Sequence, residues 1–329
     1  MLPTLAIVIM HLFLHMLLSH LALAASVPRG EASTCSNPTI RREWRQLSPV
    51  EQQNYIDAVL CLKTKPSRIG LNSSLYDDFP YVHNQLNLEI HFVASFLPWH
   101  RYFVHIYETA LKTECGYSGS AVYWDWTLDV ASVPSSPVFS PTSGFGGDGS
   151  WNKTVRVDQF SLRRCVVDGP FADITNEYFG DSRTPHCLMR SFNNGTEQVG
   201  DMFSPNYTPQ KIEEIQQLPD YDAYRRKLEG TPHGAIHSSL GGDMIPSTSP
   251  NDPLFFLHHT QIDCLWWLWQ TEKPERFAEY AGIRTQDQFN GVTPPAASKT
   301  DLMKMGGLAE DATVEEYLTS SKNGMCYGY

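Results

Sequence analysis

Basic residues are scarce in this chain. Its 329 residues hold 25 Lys and Arg against 36 Asp and Glu, a formal net charge of −11. A nucleic-acid backbone needs a positive face, so that class of partner is excluded. An internal repeat of fixed period is also missing, which speaks against an array of modules. Charged side chains are absent altogether from residues 2–25, a run rich in Leu, Ile, Met and Phe that closes on Ala22-Leu23-Ala24-Ala25. The pattern predicts a secretory signal peptide over residues 1–25, cut at the small-residue site, and an extracellular or secretory-pathway location. The run lacks a Lys or Arg at its start and approaches the ~20 residues of a bilayer span, so an uncleaved anchor is the alternative. Once cleaved, the chain has no stable membrane association. His11, His15 and His20 lie inside this run and stand apart from any metal site.

Residues 26–329 read as one domain. Hydrophobic residues make up 41% of the chain and aromatics 12%, which suits a packed globule and not a disordered segment. The length is ample for a buried core. Seven cysteines are present: Cys35, Cys61, Cys115, Cys165, Cys187, Cys264 and Cys326. In an oxidising compartment most of them pair, and an odd number leaves at least one over. Asn72, Asn152, Asn194 and Asn206 each open an Asn-x-Ser/Thr sequon, as expected of a secreted glycoprotein.

Apolar spacing predicts helices over residues 40–64, 98–114, 210–228 and 253–271. Pro98 suits a first turn, and Phe103, Val104, Tyr107, Ala110 and Leu111 form one stripe. Asp252 reads as a cap and Pro253 as a first helical residue. Residues 120–210 are rich in Gly, Pro, Ser and Asn and read as long loops over a helical centre. The fold class expected is mainly α.

Nine histidines follow the leader, and six of them form two sets of three: His83, His91 and His100, then His233, His237 and His259. His233 and His237, four apart, share one helical face and can hold one metal. His100 stands above Phe103, Val104 and Tyr107, so its ring should point inward. Asp263 lies one turn after His259, where a carboxylate can orient a ligand ring. Any one of these histidines alone reads as ordinary packing. Six buried together would leave many ring nitrogens needing partners. Three imidazoles with an open position suit catalytic copper or zinc, and spacing does not choose between them. His105 falls on another helical face and His186 in a loop, so neither reads as a ligand. His258 precedes His259 directly and lines the site without binding metal.

Two long segments carry a family resemblance. Phe96-Leu-Pro-Trp-His100-Arg-Tyr-Phe resembles the copper A motif of tyrosinases. Ser249-Pro-Asn-Asp-Pro-Leu-Phe-Phe-Leu-His-His259-Thr-Gln-Ile-Asp263 resembles their copper B motif. Tyr123-Trp-Asp-Trp126, Cys165-Val-Val-Asp-Gly-Pro-Phe171 and the Pro-His-Cys-Leu around His186 extend the likeness to short secreted oxidases of filamentous fungi. The resemblance implies a type-3 pair of copper ions in a four-helix bundle, with O2 as co-substrate. It implies copper A on His83, His91 and His100, and copper B on His233, His237 and His259, four residues before the motif's Asp. The implied activity is oxidation of o-diphenols, o-aminophenols or phenols to quinones, with a small phenolic substrate as partner. An oxygen-binding module, a copper-free binding relative and a zinc hydrolase are the alternatives; turnover of a catechol separates the first from an oxidase.

The likeness also assigns minor roles. Phe255 matches an aromatic close over the metals, though plain core packing explains it equally. Glu229, four residues before His233, matches a glutamate that positions a water and helps deprotonate a phenol; a solvated loop carboxylate is the alternative. Gly234 stands where strong monophenol hydroxylases carry Asn, which favours catechol or o-aminophenol oxidation over monophenol hydroxylation. Departures are visible as well. Glu89 occupies the place of a cysteine that in many relatives forms a thioether to the second copper A histidine. Cys264 replaces an arginine after Asp263, removing a planar ion-pair donor, and is the expected unpaired thiol. The chain closes on Tyr327-Gly-Tyr329 with no large shielding domain after it, so latency is not expected. Cys35–Cys326 would tie the ends, and Cys165–Cys187 would staple the loops.

Overall fold

A computed structural model describes residues 35–159, 162–193 and 201–329. The expected signal peptide and the Asn194 sequon lie outside these residues. Asn72 and Asn152 are exposed, and Asn206 is half-buried. The described residues form one compact unit. No described helix is long and apolar enough to cross a membrane.

Helix α1, Pro49–Leu62, opens on Ser48, whose hydroxyl accepts the Glu51 amide while the Glu51 carboxylate takes the Ser48 N–H. This reciprocal cap fixes the start. The helix expected from residue 40 therefore begins only at Pro49. Residues 39–43 form two short strands instead, Thr39–Ile40 beside Tyr327–Gly328 and Arg42–Glu43 beside Val122–Tyr123. Those partners are distant in sequence, so local periodicity does not reveal them.

Helix α2, Leu75–Gln85, opens on Ser74 with Asp77 closing the same kind of box. A single turn, α3, covers Asn87–Ile90. Helix α4, Phe96–Cys115, ends at Gly116 with φ +67°, a left-handed cap that glycine takes without penalty. The expected helix over 210–228 divides into α5, Pro209–Gln216, and α6, Tyr221–Leu228. Pro219 interrupts it and Asp220 caps the second half by accepting the Ala223 amide. Helix α6 runs into a wide turn, Glu229–His233, and then α7, Gly234–Leu240. Such wide turns concentrate at functional sites.

Helix α8, Leu254–Glu272, is buried on every side from Leu254 to Trp266, the mark of a central helix. Pro253 takes its cap position, and the Asp252 carboxylate accepts the Leu254 amide. Helices α4 and α8 pack together through rings, with Phe103 and Phe256 stacked 6.0 Å apart. Residues 120–210 differ from expectation. They contain two antiparallel hairpins, Gly149–Arg156 with Leu162–Val166 and Thr175–Phe179 with Ser182–Cys187. The first is largely exposed and carries few apolar residues, so alternation gave no signal.

Cys35–Cys326 joins the chain ends and Cys165–Cys187 joins the hairpins. A third disulfide, Cys61–Cys115, ties α1 to the end of α4. Cys264 is free and buried. Beneath it lies a charged knot. Asp263 accepts Arg101 Nε at 2.6 Å, Arg41 at 3.0 Å, and the hydroxyls of Tyr327 and Tyr329 at 2.6 Å each. Arg41 also meets Glu108 at 2.8 Å. Asp263 thus has two arginine partners despite Cys264, one between the two N-terminal strands and one from α4.

Candidate metal centre

The histidines arrive from separate elements. His83 lies near the end of α2, His100 in α4, and His237 in α7. His233 closes the wide turn, and His258 and His259 lie in α8. His91 follows α3 on extended backbone. The nitrogens of His83, His91 and His100 gather within 4.8 Å of one another, and those of His233, His237, His258 and His259 do the same. The two groups adjoin: the His100 and His259 rings stack 4.3 Å apart.

Backbone carbonyls fix the protons of five rings. The Nδ1 of His83 faces Ser247 O at 2.6 Å, that of His91 faces Asn87 O at 3.2 Å, and that of His100 faces Phe96 O at 2.8 Å. His233 Nδ1 faces Glu229 O at 3.0 Å, and His237 Nδ1 faces Met244 O at 2.7 Å. A carbonyl only accepts, so each Nδ1 carries hydrogen. Burial pushes all five pKa values below the usual imidazole value, to about 4 for His91 and His237. Neutral rings with Nδ1–H leave Nε2 as a bare lone pair. His83 Nε2 and His100 Nε2 stand 3.3 Å apart, an arrangement that repels unless a cation joins them. The Nε2 atoms of His233, His237 and His259 are buried without a protein partner. This donor set fits a soft-to-borderline metal that takes imidazole, copper or zinc.

The same reasoning separates His258 from His259. The Trp126 indole, a donor only, points at His258 Nδ1 from 3.2 Å. His258 is therefore acceptor at Nδ1 and, being neutral through burial, carries its hydrogen on Nε2. His258 Nε2 and both nitrogens of His259 are buried without a protein partner, but only His259 has both ring nitrogens uncommitted. Asp263 does not orient this ring by a hydrogen bond, contrary to its expected role. Its oxygens are taken by Arg41, Arg101 and the terminal tyrosines.

The rings open onto a cavity of about 340 Å³ lined by His83, His91, His233, His237, Glu229 and Gly234, with Phe92, Ile245 and Pro246 at its walls. A larger groove of about 680 Å³ beside Lys63 and Glu177 holds no histidine, so volume alone does not locate the site. Phe255 is fully buried, its ring 4.1 Å from that of His259 and 5.1 Å from that of His83. Glu229 is 3% exposed. Burial raises its pKa to about 7, against the pull of the Phe92 N–H and Arg225. Those donors lie 2.6 Å and 3.0 Å from its two oxygens.

Residues 73–272 match the family model described as the common central domain of tyrosinase. The chain belongs to the tyrosinase family. It is 41% identical to tyrosinase-like protein phomQ1' of Diaporthe leptostromiformis over 307 residues, covering 90% of this chain and 80% of that one. It is 39% identical to tyrosinase ustQ of Aspergillus flavus over 298 residues, with 90% and 80% covered. Its fold matches a polyphenol oxidase structure from Thermothelomyces thermophila with a TM-score of 0.76 and 30% identity, covering 89% of this chain and 88% of that one. This tyrosinase relative is accordingly a copper oxidoreductase.

Sequence reasoning missed the groups that fix the histidine rings and Glu229. Ser247 and Met244 act through backbone carbonyls on His83 and His237, Trp126 reaches His258 from a distant segment, and Arg225 holds the Glu229 carboxylate. His186 proves structural. Its Nε2 faces Asp243 Oδ1 at 2.9 Å and its Nδ1 faces Thr184 O at 2.6 Å. Both partners accept, so the ring is charged. Burial opposes that charge, but the Asp243 hydrogen bond and carboxylate outweigh it and raise the pKa. A raised folded pKa stabilises fully below the unfolded value of about 6.5 and is lost as pH climbs through the folded value. The unfolding midpoint of His186→Gln should therefore fall furthest below native under pH ~6.5, with the gap narrowing as pH rises. A gap independent of pH would contradict the charged pair.

Proposed function

We propose that this enzyme oxidises o-diphenols and o-aminophenols to quinone-type products with O2. His83, His91 and His100 would hold one copper, and His233, His237 and His259 the other. The segments bearing them, α2, α4, the Glu229–Leu240 stretch and α8, would form a four-helix frame about the pair. The observation that carries this reading is the convergence of six imidazoles, five with their Nδ1 protons fixed by carbonyls so that Nε2 is a free lone pair. When bound, copper supplies oxygen binding and uptake of electrons from the aromatic ring. Two catechols and one O2 balance as two quinones and two waters. The enzyme would act outside the cell or in the secretory pathway, with the leader over residues 1–25 removed to leave a glycosylated domain over 26–329.

The chain's own residues receive the substrate. The cavity walls of Phe92, Ile245 and Pro246 suit a flat ring. Phe255, beneath the rings, excludes water from the metal side. Each Glu229 oxygen has a second lone pair beyond the one used by Phe92 N–H or Arg225. Glu229 can thus hold a water at the cavity wall and accept a proton from the bound phenol.

Gly234 lines the same cavity in right-handed helical geometry, φ −62°. A Cβ added there would meet Glu229 O at 3.6 Å, ordinary contact, so Asn fits. Native protein is expected to oxidise catechol and o-aminophenol but hydroxylate monophenols weakly. Gly234→Asn should raise the monophenol-to-catechol rate ratio by roughly tenfold through a better-held water beside Glu229. Rates for the two substrate classes, measured on both proteins, decide it. A native enzyme that prefers monophenols, or an unchanged ratio in the variant, would sink the assignment.

A further inference from the structure

One proposed ligand is held unlike the others. His83, His100, His233, His237 and His259 lie within helices or the wide turn. His91 lies on extended backbone, φ −118° and ψ 149°. The next residue, Phe92, has φ +56°. A bulky side chain in that left-handed region is strained and persists only when its surroundings over-determine it. The ring itself is loosely tethered: its 3.2 Å contact to Asn87 O is the longest of the five ring-to-carbonyl contacts. His91 is partly exposed, as His237 is.

Two elements distant in sequence hold the His91–Phe92 peptide, one at its N–H and one at its carbonyl. Glu229 accepts the Phe92 N–H at 2.6 Å. Gln286 donates its Nε2–H to His91 O at 2.7 Å, and Phe289 packs edge-on against Phe92 with centroids 6.1 Å apart. Gln286 and Phe289 belong to a surface loop after Ile283, whose carbonyl accepts the Ala94 amide at 2.8 Å. The loop ends in a short helical turn, Asp287–Asn290, closed by Gly291 at φ +72°. It is thus anchored beyond the contact it makes.

We propose that Gln286 is a positioning residue for the metal centre, clasping the backbone of His91 so that this ring keeps its copper. The inference rests on the copper reading above. The clasp touches neither metal nor substrate. It acts by fixing the His91 peptide plane, and with it the direction of the ring. Its loss should loosen the first copper site and leave the second intact.

The test is copper release. The full-length secreted protein, loaded with copper, is dialysed against a copper chelator, and copper per chain is followed by metal analysis. Gln286→Ala removes the donor. Gln286→Glu is nearly isosteric and removes it at neutral pH, which separates the hydrogen bond from a packing defect. Both variants are expected to lose one of two coppers about tenfold faster than native protein, as losses of supporting contacts around ligands do. The second copper should leave at the native rate, and the unfolding midpoint of the copper-free protein should not move. Release of both coppers at native rates in the two variants would overturn the clasp. So would equal acceleration of both, which means general loosening. Native protein that never holds two coppers would overturn the metal reading itself, a result visible before any variant is compared.

Discussion

His100→Ala should reduce copper from two ions per chain to one and cut catechol turnover by at least a thousandfold, ~4 kcal/mol of lost transition-state stabilisation. His100 is the sharpest choice because its ring touches both groups. Its Nε2 stands 3.3 Å from that of His83, and its ring stacks 4.3 Å from that of His259. Its Nδ1–H is committed to Phe96 O, which leaves Nε2 as its metal-binding atom. His105→Ala is the control. That residue sits on the same helix, outside both histidine groups, and its loss should leave copper content and turnover at native levels. Metal analysis and initial rates on the three proteins settle the matter. A His100→Ala protein with two coppers and native turnover would remove His100 from the site.

Asp263→Asn should lower stability by about 3–5 kcal/mol, because it leaves the buried Arg101 and Arg41 guanidinium groups without their shared carboxylate. The unfolding midpoint should drop on the order of 10 °C for a domain of this size. Burial alone would raise the Asp263 pKa, but Arg101 and Arg41 outweigh it and hold it below the usual carboxylate value. A depressed folded pKa stabilises fully above the unfolded value and is lost as pH falls through the folded one. The gap between native and variant midpoints should therefore be complete at neutral pH and shrink only below pH ~4. Melting curves across pH check both features. A loss under ~1 kcal/mol at neutral pH would mean that the knot is no more than a surface ion pair. The knot also bears on the site, for Arg101 follows His100 in α4 and Asp263 lies one turn after His259 in α8.

What the sequence shows of this site is what lies close together along the chain. His100 and His259 sit in long motifs on strongly patterned helices, and their elements appear near the expected positions. His233 and His237 share a helical spacing, although the wide turn that delivers His233 is not evident from it. His91 was legible as a histidine but not as a residue on extended backbone. Groups that support the histidines come from elsewhere: Ser247 O reaches His83 across 164 positions and Gln286 reaches His91 across 195. Contacts of that separation are set by packing and leave no local pattern. Asp263 illustrates the opposite error. Its spacing from His259 suggested a ring-orienting carboxylate, and tertiary structure gave it to Arg41 and Arg101. Cys264 seemed to remove an ion-pair donor, yet the donors came from two other elements. The hairpins of residues 149–187 went unseen because exposed strands need no apolar alternation.

Copper content and catechol-dependent oxygen uptake, measured on one preparation of native protein, test the central claim most directly. The account predicts two coppers per chain and consumption of one O2 for every two quinones formed. Fewer than two coppers, or two coppers with no oxygen uptake on either a catechol or an o-aminophenol, would contradict it.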